Sequence, residues 1–236
     1  MSVRPMKRAL SEIGPAIPPV RLEAACPRVS LSGVLFLKRP FDIALSLAGL
    51  VMSFPFWLLI GILIILEDRG PVFFKQDRVG RGGKTFKALK FRSMVVDAEK
   101  GDGPVQASEH DSRVTRVGRL LRATAMDELP QLINILRGDM SFVGPRALRP
   151  EERELCGADR SVALSEIPGY RERHTVRPGL TGLAQVFLPT DAPRRRKFRY
   201  DRLYIRKSSF WFDMKLIFLS FWITFRGRWE SRQKKV

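Results

Sequence analysis

The feature that most limits the fold is a run of 24 consecutive residues without a charged side chain, Ile43–Leu66. As a helix rising about 1.5 Å per residue, this run is long enough to cross the hydrocarbon core of a bilayer. Soluble domains rarely need such a segment, so a buried core helix is the weaker alternative. The sequence therefore predicts that the chain enters a membrane.

Two features indicate that the segment enters the membrane and returns. Pro55 lies in its middle, where it removes a helical hydrogen bond, and Ser53 can bond a carbonyl freed by the resulting kink. Both flanks are basic: Lys38, Arg39, Arg69, Lys75 and Arg78. Because positively charged flanks favour the cytoplasmic side, both ends are expected there. We predict a re-entrant helix broken at Ser53–Pro55, with a straight span as the alternative.

A second segment with affinity for lipid lies near the C-terminus. Between Phe210 and Phe225, 12 of 16 residues are apolar. Asp213, Ser220 and Thr224 are spaced 7 and 4 residues apart and so share one helical face. Aromatic residues occupy the other face, which suits the headgroup region. This pattern predicts an amphipathic helix at the membrane interface, with a packed core helix as the alternative.

The net charge of +18 calls for an anionic partner, which can be a lipid surface, a phosphorylated substrate or a nucleic acid. The stretch from Arg194 to Val236 holds 14 basic and 3 acidic residues, beside the C-terminal apolar segment, as expected near anionic headgroups. No zinc-finger, RNP or helix-turn-helix pattern occurs, so we expect no nucleic-acid partner. Two cysteines and two histidines exclude a disulfide scaffold and a metal centre built from those residues.

The predicted fold class is α+β and mostly helical, with a small β-hairpin between the two membrane elements. The hairpin is expected where apolar strands flank the glycine turn Gly80–Gly83. Five parts are predicted along the chain: a flexible tail (1–32), a re-entrant membrane helix hairpin (33–69), a cytoplasmic domain that carries the chemistry (70–208), a membrane-interface helix (209–226) and a basic tail (227–236).

The adjacent carboxylates Asp127 and Glu128 are the strongest candidates for chemistry. They directly precede Pro130, which suits the first turn of a helix that ends at Gly138. Such a pair can hold a divalent cation, with Mg²⁺ as the natural ion where cysteine and histidine are scarce. One carboxylate can also attack a phosphorus atom. The structural alternative is that Asp127 is an N-cap and that both negative charges interact favourably with the helix dipole.

Four basic residues are candidates for holding phosphate oxygens: Lys90, Arg92, Arg122 and Arg146. Lys90 and Arg92 lie on the second predicted strand, where a solvated edge is the alternative. Arg122 ends a series of four arginines, spaced three residues apart, that predicts a basic helical stripe leading into the acidic pair. Arg146 ends a loop after Gly138 that can return it toward the start of the helix.

Together these residues resemble the bacterial sugar transferases, the monotopic phosphoglycosyl transferase family. The resemblance covers about four-fifths of the chain, from Lys38 to Phe225. It rests on these blocks: Lys38–Asp42, Gly70–Gly80, Phe86–Met94, Asp127–Gln131, Gly138–Arg146 and Pro178–Gly182.

The resemblance implies transfer of a sugar-1-phosphate from a nucleoside diphosphate sugar, usually UDP-linked, to undecaprenyl phosphate, with release of UMP. It places the enzyme at the cytoplasmic face of the bacterial inner membrane, at the first membrane step of exopolysaccharide or glycan synthesis. It also implies a phosphosugar intermediate on Asp127, with Glu128 as a Mg²⁺ ligand or acid/base. Asp213 matches a family aspartate, and Lys90 and Arg146 match basic positions that hold phosphates or the nucleotide.

The chain departs from the family pattern in two loops. Ala147 stands where the family commonly has proline after Pro145-Arg146, which predicts a less rigid loop. Phe187–Thr190 replaces a common Asn-Gly-Arg-Asn, so a basic residue is missing. The candidates to replace it are Arg194, Arg195 and Arg196.

Two further points stay open in the sequence. A homodimer is compatible with it but not required by it. The alternative function is a non-catalytic membrane scaffold for glycan assembly, in which Asp127 and Glu128 serve only to cap a helix.

Overall fold

The computed structural model describes residues 32–98, 111–150, 152–155 and 161–226. The predictions of a flexible N-terminal tail and a basic C-terminal tail concern residues 1–31 and 227–236, which lie outside this part of the chain. Its helices are α1 (Ser32–Asp68), α2 (Arg116–Ala123), α3 (Gln131–Arg137), α4 (Tyr170–Arg173), α5 (Leu183–Phe187), α6 (Arg194–Lys207) and α7 (Phe210–Phe225). Its strands are β1 (Phe73–Val79), β2 (Thr85–Phe91), β3 (Ser141–Val143), β4 (Arg153–Leu155), β5 (Ser161–Ala163) and β6 (Gly179–Thr181). The α+β, mostly helical class is confirmed.

The strands form three separate pairs. β1 and β2 are antiparallel, with Phe73 opposite Phe91 and Val79 opposite Thr85, which confirms the predicted hairpin. The turn between them contains Gly82, whose φ of 69° is in the left-handed region that favours glycine. β4 and β5 are also antiparallel, whereas β3 and β6 are parallel.

The first helix, α1, runs for 37 residues, with Pro55 inside it. The helix continues through Pro55. The predicted break into two helices at Ser53–Pro55 is therefore not observed. One face is buried at intervals from Asp42 to Ile64, and the opposite face is apolar and exposed from Val51 to Leu66. The buried stripe includes Asp42, Ser46, Ser53, Ile60 and Ile64. The exposed face includes Val51, Met52, Phe54, Leu58 and Leu66.

Both ends of α1 bind helix termini in the same domain. Near its start, Arg39 donates to the carbonyls of Ile135 and Leu136 in the last turn of α3, at 2.6 and 2.8 Å. Near its end, the Glu67 carboxylate accepts from the first two amides of α2, at 2.6 and 3.1 Å. These are the terminal groups that a helix cannot satisfy internally. The ends of α1 therefore brace the segment from α2 to α3.

The C-terminal helix, α7, exposes the aromatic face that the sequence predicts. The exposed side chains are Trp211, Phe218, Phe221, Trp222 and Phe225. The buried face is mainly apolar, with Leu216, Leu219 and Ile223 beside Asp213. Of the three polar residues predicted to share one face, only Asp213 is buried. Ser220 and Thr224 are half-buried, at the border between the buried and the exposed face.

The arginine series before the acidic pair does not form one helical stripe. Arg113 precedes α2 and pairs with Asp111 at 2.7 Å. Hydrogen bonds from Arg113 lower the pKa of Asp111 to about 2. α2 begins only after Thr115, whose side chain accepts from the amide of Gly118 at 2.9 Å. The N-cap explains why the helix starts three residues later than the arginine spacing predicts.

His174 gives the fold a predictable sensitivity to acid. Its side chain is buried, and Nδ1 lies 2.8 Å from the Tyr170 carbonyl oxygen. Burial, with a smaller effect of the Arg173 charge, lowers the pKa of His174 from 6.5 to about 4. Because the unfolded chain binds this proton more readily, the free energy of unfolding should fall as the pH drops from about 6.5 to about 4.

Urea unfolding of the detergent-held protein at several pH values measures the free energy of unfolding and so tests this expectation. In His174→Gln, the fall in the free energy of unfolding over this pH range should be smaller than in the wild type. An equal fall in both proteins would assign the acid sensitivity to other groups.

Candidate active site

Asp127 and Glu128 lie in a single 3₁₀ turn, Met126–Glu128, between α2 and α3. The chain reverses at Ala125, whose φ of 55° is in the left-handed region and costs a residue with a Cβ about 1 kcal/mol. Both carboxylates are buried. The N-cap position of α3 is Pro130, so the alternative that Asp127 caps this helix is wrong.

Two basic side chains from distant segments meet the acidic pair. Lys90, on β2, places Nζ 2.7 Å from Glu128 Oε1 and 3.7 Å from Asp127 Oδ2. Arg146, in the loop after β3, places Nη2 2.7 Å from the same Glu128 oxygen. The loop thus returns Arg146 toward the start of α3 as predicted. Lys90 lies against the acidic pair and not on a solvated edge.

These contacts fix the charge of Glu128. Burial by itself would raise the pKa of its carboxyl group, but the charges of Arg146 and Lys90 together hold that pKa well below its ordinary value. Glu128 is therefore an anion at neutral pH. Its Oε1 atom accepts charge-assisted hydrogen bonds from both Lys90 and Arg146.

A pocket opens beside this cluster, and two polar residues that the sequence patterns did not indicate as candidates, Arg78 and Gln131, help to line it. The pocket is lined by Arg78, Ala88, Lys90, Glu128, Gln131, Met140, Arg146, Ala147 and Gly179. Burial and then the neighbouring Arg146 charge lower the pKa of Arg78 to about 10, so it remains charged at neutral pH. Three cations around one carboxylate give this pocket the excess positive charge that binding of an anionic ligand requires.

Sequence signals for the two missed residues were present. Arg78 and Gln131 both fall in blocks that carry the family resemblance, but neither sits in a pattern with a chemical meaning of its own. Arg78 lies on a strand, and its Nη1 donates to the Ala147 carbonyl at 2.9 Å. Its place in the pocket depends on a contact across 69 residues of sequence.

Four candidate residues are not part of the lining of this pocket: Asp127, whose neighbour Glu128 lines it, and Arg92, Arg122 and Asp213. Arg92 binds both carboxylate oxygens of Asp68 at the end of α1. Arg122 lies in the last turn of α2. Asp213 accepts from Lys38 Nζ at 2.6 Å and from the Tyr204 hydroxyl at 2.9 Å.

The Lys38–Asp213 pair joins the start of α1 to α7, and its removal should destabilise the fold. The Asp213 side chain is 6% exposed, and losing one partner of a buried ion pair typically costs about 3–5 kcal/mol. Asp213→Asn should therefore lower the free energy of unfolding by this order. Asp77→Asn is the matched control, because its pair with Lys87 is exposed and such pairs contribute about 0–1 kcal/mol.

Thermal and urea unfolding of the two variants measure this difference. If Asp213→Asn kept the wild-type stability and lost only activity, Asp213 would act on substrate and not as a link between helices.

The acidic pair fits one mode of Mg²⁺ binding. Within the described ranges, no group of three or more histidine, cysteine or acidic residues could hold a metal ion. Mg²⁺ is usually bound by one or two carboxylates together with substrate phosphates and water. Asp127 and Glu128, beside a pocket for an anion, fit this shared mode and not a cage built from protein ligands alone.

Comparison with known proteins identifies the family of the chain. Residues 34–227 match the model of the family described as bacterial sugar transferase. Exopolysaccharide production protein PSS of Rhizobium leguminosarum bv. phaseoli is 44% identical over 191 residues, which are 78% of this chain and 92% of that protein.

Two longer relatives are named for a defined transfer. The UDP-N-acetylgalactosamine-undecaprenyl-phosphate N-acetylgalactosaminephosphotransferase of Aeromonas hydrophila is 43% identical over 78% of this chain and 42% of its own length. The UDP-glucose:undecaprenyl-phosphate glucose-1-phosphate transferase of Klebsiella pneumoniae is 43% identical over 80% of this chain and 40% of its own length. This chain therefore spans less than half of these two proteins. The match over nearly all of the described residues shows that the chain belongs to the bacterial sugar transferase family.

Proposed function

We propose that the protein transfers a sugar-1-phosphate from a UDP-sugar to undecaprenyl phosphate and releases UMP, in exopolysaccharide synthesis. Two relatives are named for such transfers and a third for exopolysaccharide production. The observation that carries the proposal is the buried Asp127–Glu128 pair beside the cationic pocket. Such a site binds an anionic diphosphate and presents a carboxylate to its phosphorus.

The proposed reaction has two displacement steps at one phosphorus atom. A carboxylate oxygen of Asp127 attacks the phosphorus that bears the sugar, and the bond to the bridging oxygen breaks, so that UMP leaves. The phosphosugar is then an acyl phosphate on Asp127. A phosphate oxygen of undecaprenyl phosphate attacks the same phosphorus and releases the Asp127 carboxylate, which yields the undecaprenyl diphosphate sugar.

The pocket supplies the charge that this attack needs. An anionic carboxylate approaches an anionic diphosphate only where cations offset the repulsion. Lys90 and Arg146 are held for this purpose by Glu128, and Arg78 adds a third charge. Asp127 and Glu128 would hold Mg²⁺ together with the donor phosphates, where the ion would neutralise further negative charge.

We also propose that the chain is monotopic, with α1 entering the inner membrane and returning to the cytoplasmic face. A straight span separates its two ends by the bilayer, whereas Arg39 and Glu67 of α1 both bind the same domain. The exposed apolar face in the middle of α1 suits lipid. The exposed aromatics of α7 suit the headgroup boundary.

Cysteine labelling tests this topology. With Cys26 and Cys156 replaced, single cysteines at Ser32 and Lys84 should both react with a membrane-impermeant maleimide only from the cytoplasmic side. The same cysteines in lysed cells are the control for reactivity. Labelling of the two positions from opposite sides would mean a true span.

The activity is tested by nucleotide release from protein held in nanodiscs. The assay contains undecaprenyl phosphate, Mg²⁺ and one UDP-sugar of a panel at a time. UMP is the expected product, because transfer of a phosphosugar leaves UMP whereas transfer of a sugar alone leaves UDP. Release of UDP would change the reaction class, and no release from any donor would favour the non-catalytic scaffold.

A further inference from the structure

The loop that carries Arg146 is held through three consecutive backbone carbonyls. The Pro145 carbonyl accepts from the Gly179 amide at 2.9 Å. The Arg146 carbonyl accepts from Arg173 Nη2 at 2.6 Å, and the Ala147 carbonyl accepts from Arg78 Nη1 at 2.9 Å. Arg173 and Gly179 lie six residues apart in the sequence, and Arg78 lies on β1, far from both in the chain. The loop therefore cannot move as a unit without breaking all three bonds.

Arg173 differs from the other two donors because it belongs to a buried ion pair. Its Nε donates to Asp201 Oδ2 at 3.0 Å, and both side chains are no more than 4% exposed. The Arg173 guanidinium also lies over the Phe198 ring, 4.8 Å from its centroid. Asp201 and Phe198 both belong to α6, so α6 fixes the orientation of the guanidinium.

This arrangement uses the guanidinium fork in two directions at once. Nε donates to Asp201, and Nη2 donates to the Arg146 carbonyl. The single ammonium group of a lysine cannot make both bonds with the same geometry. A buried ion pair adds little net stability compared with apolar residues of similar volume. Stability alone therefore does not explain why a charged pair stands behind this loop.

We propose that Arg173, fixed by Asp201, is a positioning residue that holds Arg146 against Glu128 and so sets the phosphate-binding geometry of the pocket. The inference rests on the proposed function for what Arg146 binds, but the link from Asp201 through Arg173 to Arg146 does not depend on it. The hydrogen bond from Arg173 to the Arg146 carbonyl restrains the loop next to Ala147, where the sequence predicts a less rigid loop.

The test replaces the charged pair by apolar residues, as Arg173→Met with Asp201→Leu. This double variant removes the donor to the loop without leaving a buried charge unpaired, so the unfolding midpoint should be retained. The kcat/KM for the UDP-sugar should fall about 10- to 100-fold, the effect of losing one hydrogen bond to a charged group. In an Arg146→Ala background, the same double change should have little further effect, because Arg173 acts through Arg146.

A second readout works without activity. Hydrogen–deuterium exchange of the peptide covering residues 141–149 should be faster in the double variant than in the wild type. If the wild type releases no UMP from any donor, the proposed function fails, and exchange alone still decides the positioning role.

Three results would overturn the inference. They are unchanged exchange, an unchanged kcat/KM in the folded double variant, and an equal loss of kcat/KM in the Arg146→Ala background. If the double variant does not fold, Arg173→Lys takes its place. That variant keeps a charge for Asp201 and should show the same faster exchange and lower kcat/KM, and wild-type values for both would contradict the proposal.

Discussion

Asp127→Asn is expected to abolish UMP release while the protein stays folded and bound to the membrane. The amide has the shape of the carboxylate but lacks the negative charge that attacks phosphorus. Removing a nucleophile typically lowers turnover by several powers of ten, so we expect a loss of at least about 10³-fold. Because Lys90 keeps its closer ion pair with Glu128 at 2.7 Å when Asp127 is replaced, no buried charge is left unpaired and the unfolding midpoint should change little.

The intermediate can be measured directly by intact-protein mass spectrometry. Without undecaprenyl phosphate, wild-type protein mixed with a UDP-sugar and Mg²⁺ should gain the mass of one phosphosugar and release one equivalent of UMP. Asp127→Asn should show neither event. If this variant still released UMP, the protein would still be an enzyme of this class, but Asp127 would not be its nucleophile.

Glu128→Gln distinguishes the role of Glu128 from that of Asp127. It removes the anion that holds Lys90 and Arg146, so the cations should lose their fixed positions. We expect slower formation of the intermediate, not its absence, together with a lower unfolding midpoint. If the wild type had no activity with any donor, the scaffold alternative would be favoured.

Local sequence patterns predicted the parts of the site that depend on neighbouring residues. The glycine turn predicted the hairpin that carries Lys90. Pro130 and Gly138 predicted the bounds of α3, and the φ of Gly138 is 94°, as a helix C-cap requires. The loop from Gly138 predicted the return of Arg146 to the acidic pair.

The contacts across the fold were not predictable in the same way. Arg92 falls in a block that matches the family, and Asp213 matches a family aspartate. Their partners are Asp68 and Lys38, and Lys38 is 175 residues from Asp213. With 42 lysines and arginines in the chain, charge patterning does not show which of them are buried. The Arg173–Asp201 pair shows this most clearly, since nothing in the local sequence of Arg173 distinguishes it from exposed arginines nearby.

Gly179→Ala is expected to disrupt the site through the backbone. β3 and β6 approach so closely that a Cβ atom at position 179 would lie 2.1 Å from the Gly144 amide nitrogen. A backbone atom cannot rotate away as a side chain can, so the strands must separate. The bond from the Gly179 amide to the Pro145 carbonyl would then be strained or lost, and Arg146 would move with the loop.

We expect this substitution to cost about 3 kcal/mol of stability or more, at the upper end of the range for overpacking. UMP release should also fall at temperatures below the unfolding midpoint, because Arg146 leaves Glu128. Gly83→Ala is the matched control, since its φ of 80° causes strain but no atom lies within 4 Å of the added Cβ. It should cost only about 1 kcal/mol and keep activity. Equal effects of the two substitutions on unfolding and UMP release would show that the close approach of β3 and β6 is not required for the site.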